Sequence, residues 1–173
     1  MSDTSEFEIH PLYARDKFPS DIKYNRAFYD ASVLATRIMD SPQALQHDFC
    51  FFFGTNTSVK LPRRIRPIWP PGTRPTEYAC NKGVYELDER DIEAVQAERI
   101  KLSKRIRYEI GSTGENCGET FRLPLVDGTS GCDSLIRIDT VLYQAAKDRN
   151  KTLDETAHIT FFLATTMCHE VAH

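Results

Sequence analysis

TLDETAHITFFLATTMCHEVAH, residues 152 to 173, is the stretch on which the fold reading turns. Thr152 followed three places on by Glu155 makes a capping box, so a helix is expected to start here. Beyond it, Ile159, Phe161, Phe162, Leu163, Ala164, Met167, Val171 and Ala172 are apolar almost all round. A helix with that pattern is expected to be buried. It closes on His169-Glu170-Val171-Ala172-His173. Residues four apart lie one turn apart on the same helix face, so both imidazoles can reach one metal ion. Glu170 lies about 100° round the helix from His169, beside such an ion and not on it. From there it can act as base towards a water that the metal activates.

The pattern H-E-x-x-H, with Thr166 three places before His169 and small uncharged residues at 171 and 172, resembles the zincin superfamily of zinc metallopeptidases. The resemblance covers about the last twenty residues. It implies an α+β domain in which helices and a small sheet pack around a buried C-terminal motif helix. It implies Zn2+ as cofactor, His169 and His173 as ligands, Glu170 as catalytic base, and a peptide or protein as substrate. Zincins take a third ligand downstream, a His or a Glu, and nothing follows His173 here. The chain is therefore expected to be a truncated product, a fragment, or a member whose third ligand lies upstream, and to hydrolyse peptides poorly as it stands. An upstream ligand would be similar to the peptide deformylase arrangement, with Gly131-Cys132 preceding the motif. Cys117 beside Gly118, Asp127, Asp133 and Asp139 stay open as alternatives. His158 lies about 16 Å along the helix axis from His169, too far to share an ion. It is expected to be a satisfied core histidine or to line a cleft. Cys168 falls on the flank opposite Glu170 and is expected to be a small buried hydrophobe.

Composition sets the outer limits. The 173 residues carry 40% hydrophobic and 27% charged side chains, which suits one globular domain with a real core. A net charge of −3 argues neither for nucleic acid nor for anionic membrane as a general partner, and neither is expected. No apolar run approaches the roughly 20 residues that span a bilayer. The acidic start Met1-Ser2-Asp3-Thr4-Ser5-Glu6 lacks the basic and apolar parts of a secretory signal, so an intracellular protein is expected. Cys50, Cys80, Cys117, Cys132 and Cys168 are odd in number and scattered, which suits free thiols. Nucleophile elbows, phosphate-binding loops and dinucleotide fingerprints are absent from the sequence.

Upstream, residues 1–19 show little periodicity and are expected to form a loose lead-in, with a single domain over 20–173. Ser20-Asp21 could cap a helix running to about Met39, carried by Ile22, Tyr24, Ala27, Phe28, Ala31, Leu34, Ala35 and Ile38. Pro42 suits the first turn of a second helix ending near Phe53, and Phe49 to Phe53 reads as core. Residues 55–83 read as a long proline-rich connection, with Trp69 as an anchor. Lys60, Arg63, Arg64, Arg66 and Arg74 make it basic. A rival, non-catalytic function follows: a fragment or degenerate domain that binds a partner through the 60–74 arm and the acidic helix after it. Asp88 to about Ser103 reads as a charged helix, and residues 105–110, 121–126 and 134–139 as strands. Pro124 demotes the second of these towards an edge. Thr140 to about Arg149 reads as a short helix.

Overall fold

The computed structural model describes residues 8–22, 24–53, 55–56, 78–79, 86–124 and 132–172. It is α+β, with five α-helices and a three-stranded mixed sheet among these residues. They fall into two compact units, 41–98 and the remainder.

The larger unit is organised by its sheet. Strands β3 (Ile106–Gly111), β4 (Gly118–Pro124) and β5 (Cys132–Asp139) lie in the order β3-β5-β4. β5 runs parallel to β3, with Tyr108 opposite Ile136, and antiparallel to β4, with Thr120 opposite the same Ile136. Alternation assigns the two faces. Ile106, Tyr108, Ile136 and Ile138 are buried in the core. Glu109 and Arg137 lie on the solvated face, joined by an ion pair of 2.6 Å, with the Arg137 guanidinium 4.4 Å from the Phe121 ring centre. One wet face is what an antiparallel edge permits. β4 is that edge among the described residues, as Pro124 suggests, although the strand begins earlier than expected, at Gly118.

Helices α1 (Arg26–Met39), α4 (Thr140–Lys147) and α5 (Leu153–Val171) complete this unit. α1 starts at the Asn25 cap and not at Ser20-Asp21: the Asn25 side chain accepts from the N–H groups of Ala27 and Phe28 at 2.9 and 3.4 Å. Before it the chain turns through Ile22 N–H to Pro19 C=O and Asn25 N–H to Ile22 C=O, which leaves Ile22 fully buried. α1 presents Ala31 and Ala35 towards the core, small residues that let α5 approach closely. Its buried hydroxyls are satisfied within the helix, Ser32 donating to Phe28 C=O and Thr36 to Ser32 C=O. α4 is capped by Asp139, whose carboxylate accepts from Val141 N–H at 2.7 Å and from both N–H and hydroxyl of Thr113 at 3.0 Å. The N–H of Thr113, then that of Val141, hold this carboxyl below the usual carboxylate range.

Residues 8–19, expected to be loose, are packed. Two short 3₁₀ turns, Pro11–Tyr13 and Arg15–Lys17, place Leu12 and Tyr13 at zero exposure in the core. Phe18 stacks on Tyr108 at 4.5 Å and meets Phe28 edge-on at 5.9 Å. Burying each such side chain contributes about 1.5–3 kcal/mol. Short 3₁₀ turns carry no helical period, which is why the sequence reads as structureless here. Arg99, on the last part of α3 (Glu89–Ser103), is fully buried and donates from Nη2 to Met39 C=O at 2.8 Å.

In the smaller unit, α2 (Pro42–Phe53) opens on proline as expected, with Ala44 N–H donating to the Ser41 hydroxyl. The first part of α3 is capped reciprocally: Asp91 N–H donates to Asp88 and Asp88 N–H to Asp91, each at 3.0 Å. Leu45 and Val95 are buried. The phenylalanine run expected in the core is not there: Phe51 and Phe53 are 47% and 45% exposed. Within the helix Phe49 packs on Phe53 and Phe51 on Phe52. Residues 55–83 were read as irregular, yet β1 (Thr55–Asn56) pairs antiparallel with β2 (Tyr78–Ala79) near the two ends of the connection. The basic arm at 60–74 and Trp69 lie outside the described residues.

Candidate functional site

α5 starts where its sequence says. Thr152 Oγ1 accepts from Glu155 N–H at 3.2 Å, and the Glu155 carboxylate accepts from Thr152 N–H at 2.8 Å. The expectation of burial all round fails for the first half. Leu153 is 89% exposed, and Phe161 and Phe162 are each 54% exposed. His158, expected in the core or lining a cleft, is exposed and does not line the candidate cleft. Burial begins at Leu163 and continues through Ala164, Thr166, Met167 and Glu170. The last turn is closed by Ala172 N–H, which donates to the carbonyls of Cys168 and His169.

Cys168 packs towards α1, as its position predicts. Tyr13 donates its hydroxyl to Cys168 Sγ at 3.5 Å, and the thiol reaches Ala35 C=O at 3.6 Å. Burial pushes the Tyr13 and Tyr108 phenols well above their ordinary value, so both stay neutral. This flank of α5 is structural.

The other flank opens on a cleft of about 710 Å3 between α5 and β4. His169 and Glu170 line it together, with Asn116, Cys117, Gly118 and Thr120 across from them. The two motif neighbours differ sharply: His169 is exposed, whereas Glu170 is 7% exposed. A buried carboxylate needs hydrogen bonds, and Thr120 supplies one. Its Oγ1 lies 2.7 Å from Glu170 Oε2 and 2.9 Å from Glu170 C=O. That carbonyl is among the last four of the helix, which have no partner within it. Gly118 makes the approach possible. A Cβ there would lie 2.6 Å from Thr166 Cγ2, closer than real Cβ contacts come, and a tight 3.0 Å from Glu170 Cγ. Ahead of the strand, the turn through Gly114 uses a φ of +70°, which suits a residue without Cβ.

The expected site residues are thus partly brought together. His169 and Glu170 share the cleft; His173 lies outside the described residues. Of the open third ligands, Cys117 is exposed and lines the cleft, while Cys132 begins β5 opposite Pro124. Asp139 is committed to capping α4 and holding Thr113. Asp133 pairs in register with Leu123, and Asp127 lies outside the described residues. Among the described residues no three His, Cys, Asp or Glu side chains converge to hold a metal ion. Nor, among them, is any helix long and apolar enough to cross a membrane.

Thr120 and Gly118 escaped the sequence reading. Thr120 reaches its partner across fifty positions, a relation no local pattern carries. Extending the alternation of Phe121, Arg122 and Leu123 backwards would have brought Thr120 and Gly118 into the strand.

No protein-family model matches the chain, and neither a curated protein nor a solved structure matches it significantly.

Proposed function

We propose that the chain carries a zincin-like metallopeptidase site, in which His169 and His173 hold Zn2+ and Glu170 is the general base for peptide-bond hydrolysis. The observation that carries the reading is the cleft in which an exposed imidazole stands next to a buried, hydrogen-bonded carboxylate on one helical turn. The donor chemistry fits the ion: an accessible imidazole on the cleft wall, with a second histidine four positions on in the sequence. Bound there, the ion would supply Lewis acidity towards a peptide carbonyl and towards water. Glu170 is placed to take a proton from water in the cleft and to return it to the leaving amine. β4 supports a peptide substrate in particular. It is a sheet edge that lines the same cleft, and an edge offers backbone N–H and C=O groups to an extended chain.

Competition against a chromophoric zinc chelator tests the site. His169→Ala and His173→Ala are each expected to weaken zinc binding by tenfold or more. Hydrolysis of a fluorogenic peptide should be chelator-sensitive and removed by Glu170→Gln with zinc affinity retained. Equal zinc affinity in wild type and both histidine variants would refute the proposal.

A further inference from the structure

We infer that Thr120 is a positioning residue for Glu170, and that Gly118 provides the clearance it needs; this rests on the proposed role of Glu170 as base. A glutamate has three side-chain torsions and ordinarily samples several rotamers. At the cleft wall one of its oxygens is tied down. Thr120 Oγ1 stands 2.7 Å from Oε2, while Oε1 takes no hydrogen bond among the described residues of a side chain that lines the cleft. One carboxylate oxygen is thereby anchored to the sheet and the other is left for a proton from water.

The anchor sits on a strand and not on a loop, so its own position is fixed. Thr120 pairs with Ile136 in the β4–β5 ladder, and Ile136 is fully buried. The same hydroxyl also lies 2.9 Å from the Glu170 carbonyl. Its single proton is shared between that carbonyl and the nearer carboxylate oxygen, so one three-centre contact holds the Glu170 side chain against its own backbone and the strand. Valine has the shape of threonine without the donor. Serine keeps the donor and loses only a methyl group. The pair isolates the hydroxyl from the packing.

The test reads the Glu170 rotamer and the rate separately. Side-chain three-bond couplings of Glu170 are measured by NMR in wild type, Thr120→Val and Thr120→Ser. The kcat and KM for the fluorogenic peptide are measured in zinc for the same three proteins. Wild type and Thr120→Ser are expected to show one dominant rotamer, and Thr120→Val averaging. The kcat of Thr120→Val should fall about ten- to a hundredfold with KM little changed, since misplacement by about 1 Å can cost about a hundredfold. Should the valine variant not fold, Thr120→Ala repeats the comparison. A single unchanged Glu170 rotamer in the variant without the hydroxyl overturns the inference whatever the activity. So does an averaged rotamer with unchanged kcat. If no protein hydrolyses the peptide but the rotamer averages only when the hydroxyl is lost, the anchoring stands and the proposed function falls.

Discussion

Residues 153–162 and 163–171 belong to one helix, yet they are held in different ways. The first half is wet. Its large side chains Leu153, Phe161 and Phe162 are exposed, and it is held by the box between Thr152 and Glu155 and by half-buried Ile159 against the core. The second half is dry. Leu163, Ala164 and Met167 have no exposure and pack against α1 and the sheet. The candidate site lies on the dry half. The difference separates two jobs: local chemistry decides where the helix begins, and tertiary packing decides where its functional end is held.

Breaking the packed half should have the larger effect. Leu163→Ala is expected to cost about 2–5 kcal/mol in urea denaturation, the range for a fully buried leucine. A cost below about 1 kcal/mol would mean that the second half is not the anchored one.

Loss of the cap should cost less. Thr152→Ala is expected to destabilise by about 1 kcal/mol at neutral pH. Acid sharpens this test. The Thr152 N–H, with its hydroxyl, holds the Glu155 carboxyl below its ordinary value. A depressed folded pKa means stability present above the unfolded value, about 4.3, and lost as pH falls through the folded one. Thr152→Ala keeps the N–H and loses the hydroxyl's share, so the gap between it and wild type should narrow slightly below about pH 4 in thermal melts. A gap that widens there would contradict the role of Glu155.

The smallest effect belongs to the exposed face. Phe161→Gln should change stability by no more than about 0.5 kcal/mol, as for surface positions that touch no special feature. A loss of about 2 kcal/mol or more by the same denaturation would show that Phe161 is covered in solution.

What the sequence made legible divides along the same line. The capping box, the proline that opens α2, and the edge character of β4 were readable because each depends on residues within one turn or one strand. The strand pattern of β5 was readable because alternation is a local signal. The buried start of the chain was not. Leu12, Tyr13 and Phe18 enter the core from 3₁₀ turns without periodicity, and partners that hold them lie far along the chain, Tyr108 for Phe18 and Cys168 for Tyr13. Apolar composition also misled. Phe51 and Phe161 are as hydrophobic as Phe28, but Phe28 is 2% exposed against rings of other segments, while Phe51 and Phe161 are 47% and 54% exposed. At the candidate site the motif residues were named from spacing alone, whereas Thr120, which holds one of them, is invisible to spacing.

β4 carries a second consequence. Among the described residues β4 ends the sheet, and a strand edge of that kind can pair with its own kind and seed self-association. Three features along this edge limit that hazard. Glu119 and Arg122 set exposed charge on it, and Pro124 ends it with a residue that has no N–H to donate. Colloidal stability and the proposed peptide binding would thus draw on the same few backbone groups. Substitutions that smooth this edge to bind peptides more tightly would be expected to do so at the expense of solubility.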